Sequence, residues 1–301
     1  MQIITSSLAR PELRPYVRAY AQRVCGTDDS DQVISVPAQL EQILNFELGV
    51  MPGIHYRDHL VSDVVAVGGT QTDFSGHLDL QAGVESFAVF FQPAGWSMLF
   101  KTPVCEMTNR FMDATAVGGS RLRELWNRLG EVSAFESRVL IVEEYLLGRI
   151  PSASPRREVT TSAANVIFRR RGAIGITALA SAYSIGLRQF ERSFERDVGV
   201  SPKSFARIAR FQSALDAKLV SPQRTWLDIA HSFGYHDQMH MIHDFEALGR
   251  TTPTHLIEQM ADVRPPALVA EENNSKCRIF TMRNRSVAYS LPTAGEIARF
   301  P

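Results

Sequence analysis

The sequence predicts an α+β fold: a β-rich N-terminal domain that ends in helices, followed by an all-α domain of two tandem helix-turn-helix units. Three observations predict it. Short runs of β-branched and aromatic residues, bounded by Gly, Pro and Asp, fill the first part of the chain. Helical periodicity follows them, an order that favours segregated strands and helices. A duplicated pattern then spans Ile176 to Gln259. A length of 301 residues suits two domains with separate cores. The expected boundaries are 1–150 for the first domain, 151–160 for a linker, 161–260 for the helical domain and 261–301 for a tail.

In chain order, strands are expected at Val33–Val36, Gln42–Leu48, Val61–Val67, His77–Leu80 and Ser86–Phe91. The Gly-rich VGGTQT, Val67 to Thr72, has neither the spacing nor the Lys of a phosphate cradle and reads as a tight turn between strands. A short helix near Trp96–Phe100 precedes longer ones at Ser120–Leu129 and Ser133–Leu147. Ser133 with Glu136 has the form of a capping box. Phe135, Val139, Val142 and Leu146 make one apolar stripe, which suggests pairing of two copies. Pro151 to Thr160 has linker composition. Val159 to Arg171 reads as the first helix of the second domain. Its end, Arg169-Arg170-Arg171 before Gly172, is equally a solvated C-terminus or a phosphate contact. From Val263 to Lys276 no periodicity is visible, which reads as disorder, and Ile279 to Leu291 reads as a strand or hairpin.

The repeat has readable physics. Ile176, Leu179 and Ala180 share one helical face, and small Ala180 admits a close crossing. Ser184-Ile185-Gly186 forms the turn. Phe190 and Phe194, four apart, anchor the next helix. Arg188, Gln189, Glu191, Arg192 and Arg196 then lie on its other faces, with donor chemistry that suits base edges in a major groove. Ser201-Pro202 opens the following helix as N-cap and first-turn residue. Trp226 to Leu256 repeats the scheme, with Ile229-Ala230, Phe245 and Thr252-Pro253 in matching places.

This pair of motifs resembles the DNA-binding domain of the AraC/XylS family of bacterial transcription regulators. The resemblance implies two recognition helices laid in successive major grooves. By position it implies base contacts from Arg188, Gln189, Glu191 and Arg192, then Gln238, Met239 and His240. Arg196, His236 and His243 join them as DNA-facing polar residues. Where the family carries Gly five residues after the second Phe, this chain has Arg250, with Gly249 one place earlier, so a re-phased turn is expected. His243 stands where the family carries Arg. More loosely, Phe87 through Phe111 resembles the sensor domains of some AraC-like regulators, which bind effectors, dimerise or both. The expected function is therefore sequence-specific, DNA-binding transcriptional regulation in the cytoplasm, under a small-molecule effector. Double-stranded DNA is the expected partner, with RNA polymerase and a second copy of the chain as further ones. The alternative is a metal-binding or catalytic β-domain fused to a DNA-targeting module.

Charge supports the helical part as the DNA partner. Residues 1–154 carry 12 Lys+Arg against 18 Asp+Glu, a net of −6, whereas residues 155–258 carry 14 against 10, a net of +4. No Lys or Arg occurs between Trp226 and Gly249, while Asp228, Asp237, Asp244 and Glu246 do. The first unit should therefore supply most of the phosphate neutralisation. His236, His240 and His243, at i, i+4 and i+7 of the second recognition helix, would be its only cations, and only when protonated. They lack a fourth ligand for Zn²⁺ and read as DNA-facing. His55, His59 and His77 match no metal motif and read as surface histidines. No cofactor, metal or enzymatic activity is expected, since no nucleophile elbow, P-loop or dinucleotide fingerprint occurs. Cys25, Cys105 and Cys277 form no CxxC and fit a reducing compartment. No apolar run suits a signal peptide or a membrane span.

Overall fold

The computed structural model describes residues 3–27, 29, 31–56, 59–74, 76–150, 155–260, 268–270, 277–279 and 287–288. Its N-terminal part holds two antiparallel sheets. The strands are β1 (Ile3–Leu8), β2 (Val17–Val24), β3 (Gln32–Val36), β4 (Ile43–Glu47), β5 (Gly53–Tyr56), β6 (His59–Val61), β7 (Val65–Gly68), β8 (Gly76–Leu80), β9 (Glu85–Phe91) and β10 (Phe111–Asp113). One sheet runs β1-β2-β9-β4-β7-β10 and the other β3-β8-β5-β6.

Side-chain alternation gives each face of the larger sheet its own task. Tyr20, Leu44, Phe46, Phe87, Val89 and Phe91 point to a core shared with α1 (Gly95–Phe100), α2 (Ala114–Gly118), α3 (Arg121–Gly130) and α4 (Phe135–Leu147). On the opposite face Ala21, Arg23, Ile43, Asn45, Glu47, Ser86, Ala88 and Phe90 line a cavity, whose far wall carries Ile34, Ile54 and Leu78 of the smaller sheet. Burial on both faces blurs the polar–apolar alternation of β2, which is why that strand is invisible in the sequence.

Several expectations need correction. Helix α4 starts at Phe135, with Ala134 as N-cap and no side-chain cap, so the Ser133–Glu136 box does not form. Buried Arg138 takes over this corner. Its Nε donates to the carbonyls of Leu129 and Val132 at 3.1 and 2.9 Å, and its Nη1 to Glu85. The stripe Phe135, Val142 and Leu146 is buried in the core of its own chain, so it is not free to pair two copies. VGGTQT is more than a turn: Gln71 forms a bridge with Gln39, and Thr70 reaches toward the helical part.

The helical part holds α5 (Pro155–Arg169), α6 (Ile176–Ala182), α7 (Leu187–Val198), α8 (Pro202–Val220), α9 (Trp226–Ser232), α10 (Gln238–Gly249) and α11 (Pro253–Met260). Helix α5 takes in residues 155–160, whose composition reads as linker. Residues 151–154 lie outside those described. Phe194, Phe205, Phe211 and Phe245 are fully buried at the centre of this part. Within the stretch expected to be disordered, Leu268–Ala270 is a strand that pairs with Cys277–Ile279, which pairs in turn with Val287–Ala288. The rest of the tail lies outside the described residues. Among the described residues no helix is long and apolar enough to cross a membrane.

Candidate nucleic-acid interface

In the first unit, α6 and α7 meet through Leu179, Ala180, Phe190 and Phe194, all buried. The two Phe rings lie 5.7 Å apart and Phe194 meets Phe205 of α8 edge-on at 5.5 Å. This anchoring turns Arg188, Gln189, Glu191 and Arg192 outward, where all four are exposed. Arg196 is placed differently. It forks onto buried Asp197, with Nε to Oδ1 and Nη2 to Oδ2 both at 2.8 Å. The helix ends at Gly199, whose φ of 97° is the left-handed C-cap that glycine adopts without strain.

The second unit repeats this plan with different chemistry. Helix α10 begins at Gln238, and the side chain of Asp237 caps it by accepting from His240 N at 2.7 Å. His236 therefore precedes the helix instead of sharing its face, and it pairs with Asp237 at 3.0 Å. Met239, His240 and His243 are exposed, and Gln238 is half-buried. The expected re-phasing does not occur: Arg250, five residues after Phe245, takes the left-handed C-cap itself at φ 53°. It occupies the place that Gly199 fills after Phe194.

The acidity of the second unit is also less than the sequence suggests. Asp244 is buried and paired with Arg207 of α8 at 2.6 Å. Asp237 is committed to its cap, and Asp228 to Thr225 at the start of α9. Cations arrive from outside the unit. Arg210 of α8 lies over Tyr235 at 5.1 Å, Arg171 over Phe233 at 5.0 Å, and Arg224 donates to Ser232 at 2.7 Å. No sequence window around α10 could reveal them, because they come from α8, from the end of α5 and from the approach to α9.

Residues 179–259 match a family model described as a helix-turn-helix domain. The C-terminal part of the chain is a helix-turn-helix domain. No curated protein matches the chain. Among solved structures it is similar to ToxT from Vibrio cholerae O395, at 6% identity over 87% of this chain and 98% of that one, with a TM-score of 0.44. It is similar at 8% identity, over 86% and 98%, with a TM-score of 0.43, to ToxT from the same source bound to (E)-4-(8-methylnaphthalen-1-yl)but-3-enoic acid. A third is unsaturated fatty acid bound wild-type ToxT from Vibrio cholerae strain SCE256, at 9% identity over 85% and 95%, with a TM-score of 0.41. Similarity at this level assigns this chain none of those proteins' ligands.

The helix-turn-helix domain is tied to the sheets at the C-terminal ends of both outward-facing helices. A helix leaves its last carbonyls without intrahelical partners. Here residues of the N-terminal part supply donors. Thr70 Oγ1 donates to Val198 O at 3.1 Å and Thr108 Oγ1 to Gly199 O at 2.6 Å, both at the end of α7. Ala38 N donates to Leu248 O at 2.9 Å, at the end of α10. Between these ties, Gln212 of α8 donates to Glu41 at 2.9 Å, and Glu41 pairs with Arg18 at 3.0 Å. Burial, reinforced by the nearby Glu41 charge, pushes the Asp216 carboxyl well above the usual carboxylate range.

The cavity lies beside these ties and measures about 230 Å³. Leu215, Asp216 and Leu219 of α8 close one end, with Phe168 and Met260. Its walls are mostly apolar, with Arg23, Asn45, Glu47, Ser86 and Asp216 among its polar points. Burial raises the Glu47 carboxyl to about 7, against the opposing pull of Ser86 and Arg23. The same burial lowers the Arg23 guanidinium. None of these residues belongs to a motif, and only the pairing of β2, β9 and β4 brings them together.

Proposed function

We propose that the chain is a sequence-specific DNA-binding transcriptional regulator whose DNA-reading domain answers to a small molecule bound between the two sheets. The observation that carries this reading is the arrangement of α7 and α10. Each is anchored by buried Phe and turns its polar residues outward, and each has its C-terminal end held by the N-terminal part. Arg188, Gln189, Glu191 and Arg192 read bases from α7, and Gln238, Met239 and His240 from α10. Arg196, held by Asp197, supports the helix more than the contact. His236 and His243 face the backbone from the edges of α10. Residues 1–150 act as the effector-binding domain and 161–260 as the reader, in the cytoplasm, with no catalysis. RNA polymerase and a second copy of the chain are further partners of this reading.

A mostly apolar cavity of this size takes a small, largely apolar effector whose polar end meets Asn45, Glu47 and Arg23. The test is selection of double-stranded fragments from a random pool by the full chain, followed by binding curves with Arg188→Ala and Arg192→Ala. Enrichment of a common site, weakened selectively by either substitution, is the expected result. A pool that shows no preference would overturn the reading.

A further inference from the structure

On the smaller sheet three side chains converge that the regulator reading does not use. His77 and Asp79 are two apart on β8 and so share one face of the sheet. β5 pairs with β8 so that His55 lies directly opposite His77, and Gly53 directly opposite Asp79. That face is opposite the one that carries Ile54, Leu78 and Leu80, and all three residues are part-exposed. The two imidazoles stack at 4.6 Å. Nε2 of His55 lies 3.0 Å from Asp79 Oδ2, and Nε2 of His77 lies 3.7 Å from Asp79 Oδ1. The longer distance is beyond hydrogen-bond reach. Oδ1 has no hydrogen-bond partner among the described residues, although it is buried.

We propose that His55, His77 and Asp79 bind a divalent transition-metal ion of the Zn²⁺ class. All three ligand atoms lie within 4.8 Å of one another. Metal–nitrogen bonds of about 2.0–2.1 Å place tetrahedral ligand atoms roughly 3.3 Å apart, so small side-chain rotations suffice. Two imidazoles and one carboxylate leave the remaining positions to water. Gly53 keeps the approach open. A Cβ there would lie 3.1 Å from Asp79 Cβ and 3.3 Å from both Asp79 Oδ2 and His55 Nε2. Carboxylate and imidazole chemistry selects a transition ion over Ca²⁺ or Mg²⁺, which take oxygen ligands. The ion would clasp β5 to β8. The inference stands independently of the effector reading.

The test is equilibrium dialysis of the full, chelator-treated chain against Zn²⁺ alone, with Co²⁺ absorption as a second readout of coordination. About one ion per chain should bind. His77→Gln, Asp79→Asn and Gly53→Val should each weaken binding more than about tenfold. The triple variant His236→Gln, His240→Gln and His243→Gln, which alters the other group of histidines, should bind as wild type does. Circular dichroism of each metal-free variant checks its fold, and any variant that has lost its fold is replaced by His55→Gln. Zn²⁺ should also raise the unfolding midpoint of wild type but not of the site variants. No stoichiometric binding, binding unchanged in the folded site variants, or binding lost in the helix variant would each overturn the proposal.

Discussion

Replacing Glu47 with Gln should make the stability of the sheet domain less sensitive to pH. Glu47 sits on the cavity face of β4, where it accepts from Ser86 and from Asn45. Burial raises its carboxyl from the ordinary 4.5 to about 7. The folded state therefore binds a proton that the unfolded chain has already lost, at any pH between those values. Stability is thus unaffected by this group below about pH 4.5 and falls as pH rises through 7, reaching its full loss above that. The shift is about 2.5 pH units, which at 1.36 kcal/mol per unit is roughly 3 kcal/mol. Gln cannot ionise but keeps the shape and an acceptor for Ser86. Urea unfolding at pH 5 and pH 8, followed by tryptophan fluorescence, gives both stabilities. Trp96 and Trp126 report on the sheet domain, and Trp226 on the helical one. Wild type should lose about 2–3 kcal/mol relative to Glu47→Gln between the two pH values. Parallel losses in the two proteins would refute the placement of a strained carboxyl in the cavity.

Other expectations follow from single contacts. Arg192→Ala should relax base preference at one or two positions by about 1–3 kcal/mol, whereas Arg196→Ala should leave the preference intact; selection from a randomised site separates the two. Arg250→Gly should raise the unfolding midpoint by the equivalent of about 1 kcal/mol, because Gly bears no penalty in the left-handed cap. Gly199→Ala should do the reverse and loosen the tie to the sheets, since a Cβ there would lie 2.8 Å from Thr108 Oγ1. Thr108→Val leaves the Gly199 carbonyl unpaired and should cost about 1–3 kcal/mol, read as faster hydrogen exchange at the end of α7.

What could be read in advance was local. Phe190 and Phe194 are four apart, Ser201-Pro202 caps within one turn, and both signals survive any change elsewhere in the chain. What could not be read depends on register or on backbone atoms. Strand β2 carries Arg18, Gln22 and Arg23 among apolar residues because both of its faces are covered, so it has no clean period. His55 and His77 look like scattered surface histidines until the pairing of β5 with β8 sets them face to face. The capping box at Ser133 does not form because the helix begins at Phe135, which makes Ala134 its N-cap. The ties at α7 and α10 run to main-chain carbonyls, and main-chain acceptors leave no residue-type signature.

Those ties set the scale of any control the sheets exert on DNA reading. Ala38 both lines the cavity and donates to Leu248 at the end of α10. Leu215 and Leu219 both line the cavity and belong to α8, which joins the two units. A ligand that fills the space without moving these groups binds both arrangements equally and shifts nothing. One that parts the sheets must loosen Ala38 or displace α8, and so changes how α10 is held relative to α7. Each tie is a single hydrogen bond, about 1 kcal/mol net, and each 1.4 kcal/mol is tenfold in affinity. On the proposed reading, loss or gain of two or three such ties would change DNA affinity by about thirty- to a little over a hundredfold. A larger response would require contacts beyond those that join the sheets to α7, α8 and α10.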